Sequence, residues 1–186
     1  MRNHSSCFTK PQECYAYERT EDFKEVISLR YRLIPYLYSE YMKAALRGDM
    51  FMKPLGFLYP EDEMARRVED QLLVGESIMM TPIIEEGAVS RKVYLPEPMT
   101  MVKYSGGAFA CSKAEPGEMT IEADYNEVVF FIRKGRLVPI GKAVMNTREI
   151  DFEHLTLLGD GKAYELYADD GMTREYSLEN IRVLRP

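Results

Sequence analysis

Tryptophan is absent from this 186-residue chain and cysteine occurs only three times. No hydrophobic run approaches the roughly 18 residues that a membrane-spanning helix needs, so no membrane partner is expected. Cys7, Cys14 and Cys111 form an odd set without CxxC spacing, which argues against both a disulfide framework and a zinc site. That pattern fits a reducing compartment. The first residues also lack the basic, apolar and small-residue layout of a secretory signal, so a cytoplasmic location is expected. Basic residues are in deficit, with 24 Lys and Arg against 30 Asp and Glu and a net charge of −6. A nucleic-acid partner, which needs clustered cations against its phosphates, is therefore not expected.

What is present describes a folded protein. Hydrophobic residues make up 46% and charged residues 29%, enough for one substantial core or two small ones. Thirteen Tyr and eight Phe supply the aromatic content, which suits an ordinary core better than a sugar-binding surface.

The first long periodic segment runs from Thr20 to Asp49. Thr20 can cap a helix, Glu21 and Asp22 sit in the first turn where the dipole favours anions, and Gly48 stands where a helix-ending glycine belongs. Phe23, Val26, Ile27, Ile34, Leu37, Tyr38, Tyr41 and Leu46 recur near helical spacing and predict a wide buried stripe. Pro35 lies inside the pattern, so a kink or two successive helices is expected. The apolar run MFMKPLGFLYP then has the length and continuity of a strand in a parallel sheet. PEDEMARRVEDQLLVG reads as a helix closed by Gly75. Residues 20–75 thus follow α/β grammar.

From Glu76 the grammar changes to all-β. SIMMTPII, RKVYLP, MTIEAD, EVVFFIRKG, HLTLLG, KAYELYA and TREYSL are short strand-like runs separated by turns. Gly159-Asp160-Gly161 and Asp169-Asp170-Gly171 mark hairpin turns, and the stretch around residue 148 reads as a seam. Neither glycine-aspartate cluster has the alternating ligand spacing of a calcium loop. No metal site and no cofactor are predicted.

In order along the chain, RNHS, QECYAYE, LRYRLIPYLYSEY, KPLGFLYPED, DQLLVGESIMMTPII, VYLPE, FFIRKGRLVPIG and YADDGMTREY resemble the closing third of family 31 glycoside hydrolases, the α-glucosidase and α-xylosidase group. The resemblance covers residues 2 to about 176. It implies that residues 1–75 are the end of a βα TIM barrel, with KPLGFLY as its eighth strand. Residues 76–148 would then be a proximal β-sandwich and residues 149–186 the start of a distal β domain. His4 matches the family histidine that hydrogen-bonds the sugar in the subsite beside the scissile bond, and Arg2 matches the arginine that shapes that pocket. Without the resemblance, a histidine so near a terminus would read as a solvent-exposed residue with no role.

Retaining glycoside hydrolysis requires two carboxyl groups about 5–5.5 Å apart. The resemblance implies that both are aspartates on barrel strands preceding RNHS, so no residue of this chain is predicted to be catalytic. Asp62, Glu69, Asp70, Asp169 and Asp170 have ordinary readings as helix-face or turn residues. Two departures stand out: Cys14 replaces a proline after Gln-Glu, and Met99-Thr100-Met101 replaces a tryptophan after VYLPE. The expected function is that of the C-terminal part of an α-glycosidase, inactive alone, contributing to an α-glucoside or α-xyloside pocket through the complete barrel. The alternative is an independent carbohydrate-binding or structural β-sandwich, or an interaction module. Orphaned barrel faces would also drive self-association.

Overall fold

The computed structural model describes residues 18–186. Arg2, His4, Cys7 and Cys14 lie outside the described residues.

A single long helix, α1 (Thr20–Arg47), opens the described chain. Thr20 is its first helical residue, Arg19 precedes it and pairs with Asp22, and the helix ends at Gly48, whose N–H reaches the carbonyl of Ala44. Pro35 does not split it. Proline removes one N–H and crowds the preceding turn, leaving carbonyls there open to outside donors. Beside the Tyr31 carbonyl, which loses its helical donor at Pro35, the Arg32 carbonyl accepts from the Gly141 N–H at 2.9 Å. A Cβ at Gly141 would lie 3.4 Å from the Pro35 ring, an ordinary contact, so the later chain packs against this turn without needing a glycine there.

The rest is mostly β. Strands β1 (Met52–Pro54), β2 (Leu72–Val74) and β3 (Ile78–Met80) join β5 (Met99–Ser105), β6 (Ala108–Ala114) and β8 (Val128–Arg133) in a six-stranded sheet of order β1-β2-β3-β8-β5-β6, antiparallel throughout. Between β1 and β2 lie two short helices, α2 (Leu55–Leu58) and α3 (Glu63–Arg67). A ribbon of β4 (Ser90–Leu95) and β7 (Gly117–Glu122) is separate. So are the pairs β9 (Leu137–Ile140) with β10 (Thr156–Gly159), and β11 (Tyr164–Tyr167) with β12 (Ile181–Leu184).

Several expectations require correction. KPLGFLY is not a parallel strand: only Met52–Pro54 is extended, it pairs antiparallel with β2, and the chain turns into α2 at Leu55. Pro54 cannot donate to a ladder, and β1 accordingly sits at the sheet edge. The helix expected to run up to Gly75 stops at Arg67, and Leu73 and Val74 instead lie in the sheet core. TREYSL is irregular, with a 3-10 turn at Leu178–Asn180, and the strand lies further on at Ile181–Leu184. The longest hairpin, β5–β6, was not anticipated.

Period-two alternation places the two cores. Leu73, Met79, Met99 and Phe131 pack with Val93, Leu95 and Ile121 of the β4–β7 ribbon on one face of the large sheet. Ile78, Val102, Phe130 and Ile132 point the other way, onto Tyr36 of α1 and onto Leu137, Val138, Ile140, Tyr164 and Leu166. The large sheet is therefore the middle layer, covered by the ribbon on one side and by α1 with the last strands on the other.

Candidate functional site

Three polar constellations stand out from this framework. The first lies where α1 meets the sheet and β11. Tyr36, Glu40 and Lys43 follow one another at helical spacing and all are buried. Glu40 Oε1 pairs with Lys43 Nζ at 2.6 Å and accepts from the Tyr164 hydroxyl at 2.7 Å, while Oε2 accepts from the Glu76 N–H at 2.9 Å. The Lys43 ammonium also lies 4.5 Å from the Tyr164 ring centre.

Tyr36 donates to the Val74 carbonyl at 2.6 Å and accepts from the N–H groups of Ser77 and Ile78 at 2.9 and 3.1 Å. Burial first, then the Glu40 charge, push both phenols upward, so they remain donors at any ordinary pH. Gly75 completes the joint: its φ is 63°, and a Cβ there would fall 2.4 Å from Glu40 Cγ. Every polar atom has a protein partner within reach of its task. The arrangement ties the helix to the β2–β3 turn and to β11.

The second constellation is centred on Arg133, which donates to Glu97 Oε1 at 2.9 Å, to the Tyr59 hydroxyl at 3.1 Å and to the Glu76 carbonyl at 2.9 Å. Burial pushes the Tyr59 phenol up to about 12 against the pull of the guanidinium. It joins the segment after α2 to the VYLPE loop.

The third is an open cavity of about 460 Å³ between the β3–β4 loop, Thr81–Ala88, and the β7–β8 connection, Ala123–Val129. The sequence reading missed it, because SIMMTPII reads as one strand. Pro82 was the available signal: the strand ends at Met80, before it.

The carboxylates singled out in the sequence hold local structure. Asp62 caps α3 through the Ala65 N–H at 3.0 Å and accepts from the Tyr94 hydroxyl at 2.6 Å; that hydroxyl, and then the capped N–H, hold its carboxyl below the usual range. Asp70 pairs with Arg91 at 2.6 Å. Asp169 accepts from the Tyr38 hydroxyl at 2.7 Å, and Asp170 receives the N–H groups of Met172 and Thr173. Among the described residues no group of three or more His, Cys, Asp or Glu could hold a metal ion.

Comparison with known proteins decides the ancestry. Residues 1–40 match the glycosyl hydrolases family 31 TIM-barrel domain and residues 48–138 match the glycosyl hydrolase family 31 C-terminal domain. The chain belongs to glycoside hydrolase family 31. α-Glucosidases are among its relatives: it is 34% identical to alpha-glucosidase 2 of Bacillus thermoamyloliquefaciens over 186 residues, covering 95% of this chain and 23% of that protein. Among solved structures, a family 31 dextranase of Flavobacterium johnsoniae complexed with isomaltotriose superposes with a TM-score of 0.73 at 26% identity, covering 90% of this chain and 21% of that one. An α-xylosidase of Xanthomonas citri gives 0.70 at 27% identity, covering 88% and 18%. The chain spans about a fifth of the length of the curated relatives it matches.

Proposed function

We propose that this family 31 chain supplies the C-terminal β layers, read as a β-sandwich, and part of the sugar pocket of a retaining α-glycosidase acting on terminal α-linked glucose or xylose. The observation that carries the reading is the order of the two family matches on one chain, barrel segment first and C-terminal domain second. Arg2 and His4 fall inside the barrel-matched segment; the role proposed for His4 is to hydrogen-bond the sugar beside the scissile bond, and that for Arg2 is to shape the pocket. The chain alone is proposed to be inactive, because a loop bearing binding residues works only on a scaffold that fixes it against the reacting groups.

A chimera tests this. Replacing the corresponding segment of the Bacillus alpha-glucosidase 2 with these 186 residues should preserve maltose hydrolysis, and His4→Ala in that folded chimera should lower kcat/KM by about 10²-fold. An unchanged kcat/KM on His4→Ala would remove the histidine from the pocket.

A second reading, an interaction surface, is favoured by one observation. Tyr41, Met50, Met52, Phe57, Leu58 and Met64 are exposed apolar residues on the closely connected segment from the end of α1 to α3, and β1 beside them is a sheet edge. Such a surface favours self-association.

A further inference from the structure

The cavity between residues 81–88 and 123–129 has features that the joint and the Arg133 cluster lack. Its volume, about 460 Å³, falls within the roughly 300–1,000 Å³ of small-molecule sites. Its walls are held from outside. Arg91 donates to the Pro82 carbonyl at 2.6 Å, the Ala123 N–H reaches the Val89 carbonyl at 2.9 Å, and Glu127 is fixed by Lys103 at 2.6 Å and by the Asp124 N–H at 3.0 Å. The shape is therefore set before anything enters.

Its chemistry is unbalanced in a particular way. Buried Ile121 and Val129 line it, and Tyr125, 59% exposed, lies at its edge with the Arg19 guanidinium 4.7 Å from the ring centre. Glu85, Glu86 and Asp124 also line it, and among the described residues none of their carboxylates has a hydrogen-bond or ion-pair partner.

Among the described residues no Lys, Arg or His lines the cavity, and the carboxylates that do line it repel a phosphate or carboxylate ligand. The carboxylates do not converge tightly enough to hold a metal ion. A neutral polyhydroxylated ring meets both halves of the lining: its hydroxyls donate to the free carboxylates, and its C–H face covers the Ile121, Val129 and Tyr125 wall.

We infer that this cavity is a saccharide-binding site for one or two sugar rings. The choice of α-glucosides as first probes rests on the proposed function, whereas the neutral-polyol chemistry rests on the lining alone.

Titrating the uniformly labelled full chain with maltose, isomaltose or xylobiose and following amide shifts tests the inference. At millimolar sugar, saturable shifts should concentrate in residues 81–88 and 123–129. Tyr125→Ala and Asp124→Ala should each weaken binding about tenfold, the loss of roughly one good contact. Both side chains are exposed, so neither variant should shift the sugar-free melting temperature appreciably, which also shows that the variants fold. Saturable binding that survives both cavity variants, shifts elsewhere, or no shifts with any of the three sugars would overturn the inference. An inactive chimera accompanied by normal sugar shifts would instead defeat only the proposed function.

Discussion

Glu40 and Lys43 show how far a residue's environment can depart from its type. Charged side chains on a helix usually face water, and the sequence pattern placed Tyr41 rather than Glu40 on the buried stripe. In the structure Tyr41 is exposed, while Glu40 and Lys43 are enclosed by Tyr36, Tyr164 and the Gly75 turn. Removing one partner of such a pair leaves a buried charge uncompensated, so Lys43→Met is expected to lower unfolding free energy by about 3–5 kcal/mol in urea denaturation. Replacing Glu40 and Lys43 together by Leu and Met should recover much of that loss, since the desolvation of both charges disappears. Gly75→Ala should cost more than about 1 kcal/mol, because it combines a left-handed backbone with a collision against Glu40.

Elements were legible to the extent that their signal was local. The α1 helix carries its own acidic first turn, apolar period and terminal glycine, and β4, β7, β8 and β11 alternate as half-buried or buried strands should. The β5–β6 hairpin was hidden because β6 is a sheet edge whose residues are small, polar and mostly exposed, leaving little hydrophobic rhythm. KPLGFLY misled for the opposite reason: an apolar run reports burial but neither direction nor partner, and two short helices consumed most of the expected strand and helix. Arg2 and His4 were singled out only through resemblance, since nothing local distinguishes them, and they lie outside the described residues.

The α3 helix is short enough to depend on its cap, and Asp62→Ala is expected to cost about 0.5–2 kcal/mol. Asp62 and Glu127 both titrate below their usual values in the folded chain, Asp62 chiefly through the Tyr94 hydroxyl and Glu127 chiefly through Lys103. A depressed carboxyl contributes stability above its unfolded value, near pH 4, and loses it as the pH falls through the folded value. Melting temperature should therefore be flat above about pH 5 and fall below about pH 4, less steeply in Asp62→Asn.

At the scale of the whole molecule, the exposed apolar residues between α1 and α3 bear on how the chain behaves in solution. Each 100 Å² of apolar surface withdrawn from water contributes about 2.5 kcal/mol before the cost of association. Sedimentation velocity is expected to show concentration-dependent dimers that Met52→Lys with Phe57→Ser disperses, whereas a clean monomer at high concentration would count against the patch as an interface. The three-layer arrangement, with α1 locked by its buried joint to the sheet and to β11, makes the proposed contribution to a glycosidase one of scaffold and pocket wall. The decisive measurement is the hydrolysis of maltose and of an aryl α-xyloside by the purified, folded 186-residue chain. The account expects no turnover above buffer; sustained turnover that tracks the protein through purification would contradict it.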